Sequence, residues 1–270
     1  MGMEDFSPGD LRLPPKEGSG QTSMADAGTP RPIILNIGIT GHRSGVLTAP
    51  HVRTLRPIVY TVFRQLYDAA VRLRGSEASF PSDAQAQLRL NTALASGADQ
   101  IAAICARSSG YFVRALLPFE PTEYRKDFDN DEELDRFEQA LEAADEIVAL
   151  PGDRSDLQGA YVQVGESLVG NADVMIAIWD GDQGRGPGGT AHVVEMALEK
   201  AVPVIHIRVD HDSDTVEVRA LVDGDTTAPF GASLHDPNLY SKVLRGALKL
   251  GPSPALPSDA PEAREPEAQA

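Results

Sequence analysis

The chain has 270 residues, with 24 Lys and Arg against 40 Asp and Glu, so its formal net charge is −16. This acidity predicts no nucleic-acid partner and no membrane partner, because both anionic surfaces are bound by clustered Lys and Arg. One cysteine, Cys105, excludes an internal disulfide framework and a thiolate zinc site. We see neither a signal peptide nor an apolar run of the roughly 20 residues that cross a bilayer, so we expect a cytoplasmic protein.

The negative charge is concentrated in three segments. Residues 1–30 hold five acids and two bases, residues 251–270 hold four acids and one base, and residues 120–146 hold twelve acids and three bases. The two terminal segments are rich in Pro, Gly, Ser and Ala and poor in aromatic residues, which predicts a disordered N-terminal tail and a disordered acidic C-terminal tail. We therefore expect one folded domain over residues 31–250, close to neutral outside 120–146.

Within residues 31–250, short apolar runs alternate with amphipathic stretches. The runs 33–40, 88–94, 111–117, 146–150, 173–179 and 203–209 predict strands. The stretches 50–73, 99–107, 131–144, 158–169, 190–200 and 239–250 predict helices. This alternation is typical of a doubly wound parallel α/β sheet, in which ligands bind outside the carboxyl ends of the strands.

The first candidate motif, Thr-Gly-His-Arg at 40–43, follows the first predicted strand. Gly41 permits a tight turn, which would bring His42 and Arg43 to the carboxyl edge of the sheet. The Arg43 guanidinium suits bidentate pairing with a phosphate. Position alone favours equally a binding motif and an ordinary loop with solvated polar residues.

The second candidate motif, Ser96-Gly97-Ala98-Asp99, follows the second predicted strand and leads into a helix. Small residues at a helix N-terminus let the backbone approach an anion closely. The alternative, which we favour for this motif alone, is an ordinary turn in which Ser96 or Asp99 caps the helix.

The third candidate motif is the glycine-rich loop after the apolar strand 173–179. Five glycines in a loop between a buried strand and a helix N-terminus have the general form of a phosphate cradle, although the loop matches neither a Walker A motif nor a dinucleotide fingerprint. Here we favour the binding interpretation over a structural turn. The candidate ligand-binding residues in this loop are Asp180, Gly181, Gly186, Gly188, Gly189 and Thr190.

Other side chains near these motifs allow two interpretations. Tyr124 would either stack on a base or pack in the core, and Glu195 would either reach the ligand or lie on the surface of its helix. His206, in an apolar strand, is more typical of a satisfied core histidine. We find no spacing that predicts a metal site, and we expect no cofactor. The apolar stripe of helix 50–73 allows a homo-oligomer, or it covers the sheet.

Taken together, the motifs resemble the SLOG superfamily, named after the Smf/DprA and LOG proteins. The resemblance covers residues 33–208. It rests on the motifs at 40–43 and 96–99, on Leu-Pro-Phe at 117–119, and on three short stretches around the glycine-rich loop, at 171–173, 180–181 and 187–190. It implies a Rossmann-like three-layer α/β fold with a mostly parallel sheet. It also implies a nucleotide or nucleotide-derived small ligand at the carboxyl ends of the strands.

The resemblance extends to the LOG-type phosphoribohydrolases, whose signature is Pro-Gly-Gly-x-Gly-Thr-x-x-Glu. Here the matching stretch 187–195 keeps the Pro, the first two glycines and Glu195, but has Ala191 and His192 in place of the third Gly and the Thr. This branch implies cleavage of the N-glycosidic bond of a nucleoside monophosphate, with Glu195 as the catalytic carboxylate. The sequence leaves binding and catalysis both open.

Overall fold

The computed structural model describes residues 33–76, 86–182, 186–210, 216–221, 234 and 237–250. The strands are β1 (Ile33–Gly41), β2 (Ala86–Thr92), β3 (Phe112–Leu117), β4 (Glu146–Ala149), β5 (Val174–Trp179), β6 (Val204–Val209) and β7 (Val216–Leu221). The helices are α1 (Ala49–Ser76), α2 (Ala98–Ser108), α3 (Pro121–Tyr124), α4 (Asp131–Ala143), α5 (Leu157–Gly170), α6 (Thr190–Glu199) and α7 (Pro237–Ala247). The predicted tails 1–30 and 251–270 lie outside the described residues.

The seven strands form one sheet in the order β4-β3-β2-β1-β5-β6-β7. Strands β1 to β6 are parallel, and β7 is antiparallel to β6. The chain builds one half of the sheet from β1 out to β4 and then returns to place β5 on the other side of β1. The gap between the ends of β1 and β5 is therefore the topological switch point, where open α/β sheets bind ligands.

The strands are apolar on both faces because helices cover both. Leu35, Ile37 and Ile39 of β1 belong to the large buried cluster that also includes residues of α1, α2 and α7. On the opposite face, Met175 and Ala177 of β5 pack in a second cluster with residues of α5 and α6. The predicted three-layer, mostly parallel α/β fold is confirmed.

Two elements were not predicted from the sequence. Strand β7 was missed, although Val216 and Val218 alternate with Glu217 and Arg219 as expected for an edge strand. The four-residue helix α3 was also missed, since Pro121 at its start is compatible with either a loop or a first helical turn. Within the part of the chain that the structure describes, no helix is long and apolar enough to cross a membrane.

Candidate functional site

The loop after β1 crosses the switch point and contacts the end of β5. The backbone N–H of Asp180 donates a hydrogen bond to Nε2 of His42 (3.1 Å), and the Asp180 carboxylate lies 3.0 Å from the same nitrogen. The N–H of His42 in turn donates to the carbonyl of Ile178 (2.9 Å). His42 and Asp180, predicted from separate motifs, thus form one contact between neighbouring strand ends.

The glycines of the first two motifs allow close approach of the protein's own loops. A Cβ on Gly41 would lie 2.4 Å from Cβ of Ala98, and one on Gly97 would lie 2.5 Å from the carbonyl oxygen of His42. Gly97 also has φ +93°, a conformation that only glycine adopts without strain. The space beside both glycines is therefore filled by neighbouring loops of the protein itself.

The second motif does not cap α2 with a side chain. Gly97 is the N-cap residue of α2 and no side chain caps the helix there, whereas Ser96 is buried. Asp99 points back into the turn, where its carboxylate accepts hydrogen bonds from the Thr92 hydroxyl (3.2 Å) and the Ala93 N–H (3.1 Å). Complete burial raises the pKa of Asp99 to about 7, against the lowering effect of these hydrogen bonds and of the Arg43 charge.

Arg43 belongs to a chain of polar contacts that reaches α5 and the segment after β3. Its guanidinium carbon lies 5.4 Å from the centre of the Tyr161 ring, and its side chain hydrogen-bonds to Tyr161. The Tyr161 hydroxyl donates to the carboxylate of Asp127, which also pairs with Arg154 at 2.7 Å. Desolvation opposes the charge of Arg43, but these hydroxyl and carboxylate partners outweigh it, so the pKa of Arg43 is raised.

The glycine-rich loop packs against the beginning of α5, beside the same tyrosine. A Cβ on Gly188 would lie 3.0 Å from Cβ of Tyr161, and Gly186 and Gly188 both have positive φ, at +114° and +82°. Tyr161 therefore joins the loop after β1 to the loop before α6. The three sequence motifs do not include Tyr161, and Asp127 is one of the twelve acids of segment 120–146, so neither was predicted as a site residue.

Two amide groups of this loop are already used within the protein. The N–H of Gly188 donates to Nδ1 of His192 (3.1 Å), and the N–H of Gly189 donates to the carbonyl of Gly186 (3.2 Å). No side chain caps α6 at Gly189. The first-turn amide groups of α6, which begins at Thr190, are therefore those that this loop offers to an anion.

Two predicted residues lie apart from these contacts, while Tyr124 borders them. The Tyr124 ring is buried between Phe128 and Phe137, with ring centres 5.3 and 5.4 Å away, and Tyr124 interacts electrostatically with Arg43 and Asp127. Glu195 is exposed on α6, whose neighbouring residues Val193 and Val194 face the sheet. Gly181 follows Asp180 with φ +95° and lies near His206 and Arg208.

His206 is buried, and its Nε2 lies 2.9 Å from the carbonyl oxygen of Trp179, as expected for a satisfied core histidine. Within the described ranges, no group of three or more His, Cys, Asp or Glu side chains is arranged to hold a metal ion.

Comparison with known proteins found matches only among solved structures. No family model matches the chain, and no curated protein matches its sequence. Protein TM1055 is 19% identical over 63% of this chain and 72% of its own, with a TM-score of 0.38. The DNA processing proteins A (DprA) from Streptococcus pneumoniae and Helicobacter pylori are each 16% identical, with TM-scores of 0.42 and 0.37.

The chain spans only part of the DprA proteins that it matches. The two DprA matches cover 67% and 64% of this chain, which spans 54% and 64% of theirs. The Rossmann-like architecture rests on the strand order and layers described above, and the SLOG resemblance stays what the sequence motifs imply.

The prediction that excluded nucleic acid as a partner is wrong as an exclusion. DNA processing protein A from Helicobacter pylori, which is similar in fold, has a single-stranded DNA binding mode. The error came from treating net charge as a property of every surface. The net negative charge is concentrated in 1–30, 120–146 and 251–270, so the total charge does not describe the potential at every part of the surface.

Proposed function

We propose that this protein binds a nucleotide or nucleotide-derived small ligand, with its phosphate at the carboxyl edge of the sheet. The observation that carries the proposal is the position of Arg43, an exposed residue directly after β1 at the switch point. Its aromatic neighbour Tyr161 contacts the loop that opens α6. A phosphate at the carboxyl edge of the sheet would accept hydrogen bonds from the arginine and from the N-terminal amides of the helix.

The remaining predicted residues have supporting roles in this proposal. Gly41, Ser96, Gly97 and Asp99 shape the two loops that position Arg43. His42, Asp180 and Gly181 link the ends of β1 and β5. Gly186, Gly188, Gly189 and Thr190 form the approach to α6.

The test is the binding of AMP, measured by thermal shift and by calorimetry. A ligand that binds only the folded state stabilises it by about 2.7 kcal/mol at one hundred times its Kd, so AMP should raise the melting temperature. We expect Arg43→Met to weaken AMP binding about tenfold or more, because a charged hydrogen-bond partner of phosphate is lost. The matched control is Arg53→Met, which removes an exposed arginine of α1.

Two results would contradict the proposal. The first is that millimolar AMP, ADP and cyclic nucleotides leave the melting temperature of the wild-type protein unchanged. The second is that the two arginine variants bind AMP with equal affinity. Chromatography of the AMP incubation also detects free adenine, whose release would replace simple binding by N-glycosidic cleavage and bring Glu195 back as the candidate carboxylate.

A further inference from the structure

Asp127 is a carboxylate set among cationic and hydroxyl donors at the proposed ligand edge. Its side chain is only 7% exposed, and its two oxygens pair with the Arg154 guanidinium and the Tyr161 hydroxyl. Arg43 hydrogen-bonds to the same tyrosine and interacts electrostatically with Asp127. One arginine and one hydroxyl thus contact this internal anion directly, and Arg43 lies over the ring that carries the hydroxyl.

The segment that carries Asp127 is short, and besides these contacts it is held by the Arg125–Glu138 ion pair (2.8 Å) and by one aromatic cluster. Asp127 ends the single 3₁₀ turn 125–127 that follows α3. The same arginine that pairs with Asp127 donates to the carbonyl of Glu123 (3.2 Å), and its guanidinium carbon lies 4.9 Å from the centre of the Phe119 ring. Release of Asp127 would free Arg154 and loosen this turn while the buried Tyr124 ring stays in place.

We propose that Asp127 occupies the position of a ligand phosphate and competes with it for Arg43, Tyr161 and Arg154. This inference rests on the proposed function. It adds Arg154 and Tyr161 to the phosphate subsite. It also makes the Asp127 carboxylate a weak intramolecular competitor of the ligand. A phosphate carries more charge and more acceptor oxygens than a carboxylate, so it displaces Asp127 where a neutral ligand does not.

The test compares Asp127→Asn with Asp129→Asn. Both substitutions remove one negative charge from the same segment, but Asp129 is exposed, so the pair separates local competition from overall charge. The amide introduced at position 127 keeps the shape of the carboxylate and can still accept from Tyr161. With AMP at constant ionic strength, we expect Asp127→Asn to lower the Kd about tenfold or more and Asp129→Asn to leave it unchanged. Adenosine, which lacks the phosphate, should bind all three proteins equally.

The outcomes separate this inference from the proposed function. If wild type binds AMP and Asp127→Asn binds it equally or more weakly, the competition is overturned and the proposed function stands. If wild type binds AMP and Asp127→Asn binds it about tenfold more tightly, both are supported. If AMP binds to none of the proteins, the proposed function fails and the inference fails with it.

Hydrogen exchange on the wild-type protein gives a second test that does not depend on a variant folding. If a phosphate displaces Asp127, saturating AMP should speed exchange of the amides at 123–130, because the turn loses its contacts with Arg154 and Tyr161. Adenosine should not have this effect. Unchanged or slower exchange of these amides with AMP bound would overturn the inference.

Discussion

Asp99 is an ionisable side chain that the protein buries completely in the turn between β2 and α2. Its carboxylate holds that turn through Thr92 and Ala93, next to the loop that carries Arg43. Burial disfavours the charged form and raises the pKa of Asp99 from 3.8 to about 7. Near neutral pH, the charge of the Asp99 carboxyl beside Arg43 therefore depends on whether Asp99 is protonated.

We predict that the wild-type protein loses stability relative to Asp99→Asn as the pH rises from about 4 to 7. In this range the folded state binds the Asp99 proton more tightly than the unfolded state does. Its contribution is thus complete below the unfolded pKa of 3.8 and is lost as the pH passes through the folded pKa of about 7. One proton changes the free energy of unfolding by up to about 1.4 kcal/mol per pH unit. Urea denaturation at pH 5 and 8 measures the difference, and parallel pH profiles for the two proteins would contradict the prediction.

At the scale of elements, the loops after β1 and β2 fit closely against each other. The N–H of Ala98 donates to the carbonyl of His42 (3.0 Å), and Gly97 lies directly against the backbone of residues 42–44. The Ser44 hydroxyl donates to Glu133 of α4, a helix whose N-cap Asn130 accepts from the N–H of Glu133 (3.0 Å). Three separate elements thereby position the backbone on either side of Arg43.

We predict that Gly97→Ala destabilises the protein more than Gly110→Ala does. Both glycines have positive φ, at +93° and +80°, so a Cβ is strained at both positions, and the ψ of −116° places Gly97 outside the left-handed helical region as well. A Cβ on Gly97 also meets the His42 oxygen at 2.5 Å and the Ser44 nitrogen at 2.6 Å, while one on Gly110 meets nothing within 4 Å. Urea denaturation should show the difference, and AMP binding should weaken only in Gly97→Ala because Arg43 is displaced. Equal losses of stability would show that the loops tolerate the added methyl group.

At the scale of the whole molecule, stability comes from apolar side chains buried on both faces of one sheet. Phe63 of α1 is fully buried, its ring centre lies 4.8 Å from that of Tyr111, and the Tyr111 hydroxyl donates to the Phe63 carbonyl (2.8 Å). Complete burial raises the pKa of Tyr111 well above its ordinary value, so its hydroxyl stays a donor. This contact joins α1 to the residue that precedes β3.

We predict that Phe63→Ala lowers the free energy of unfolding by about 3–5 kcal/mol, because it leaves a cavity between α1 and the sheet. Tyr60→Ala on the same helix should cost less than about 1 kcal/mol, because Tyr60 is 42% exposed. Urea denaturation measures both changes. A comparable loss in the Tyr60 variant would mean that the outer side of α1 is covered in solution.

The sequence by itself was sufficient for the layered α/β fold and for most of its elements. Apolar runs such as 173–179 and the three- and four-residue spacing in 50–73 are local signals, and burial on both faces of a sheet produces them directly. The same local signals located the three motifs at strand ends. Strand β7 was missed because it alternates apolar and charged residues and is not a continuous apolar run, and α3 was missed because it has only four residues.

Only the tertiary structure decided which motif residues meet. The strand order places β5 beside β1, and so brings Asp180 to His42 across 138 positions of sequence. It also brings Asp127, from the most acidic part of the chain, against Tyr161 and Arg154. Such contacts depend on sheet topology and on helix packing, which bring together residues far apart in sequence. The composition counts residues without their positions, so it contains no information about these contacts. The charge of −16 is therefore a property of the whole chain, whereas the potential at the ligand edge is set by a few neighbouring side chains.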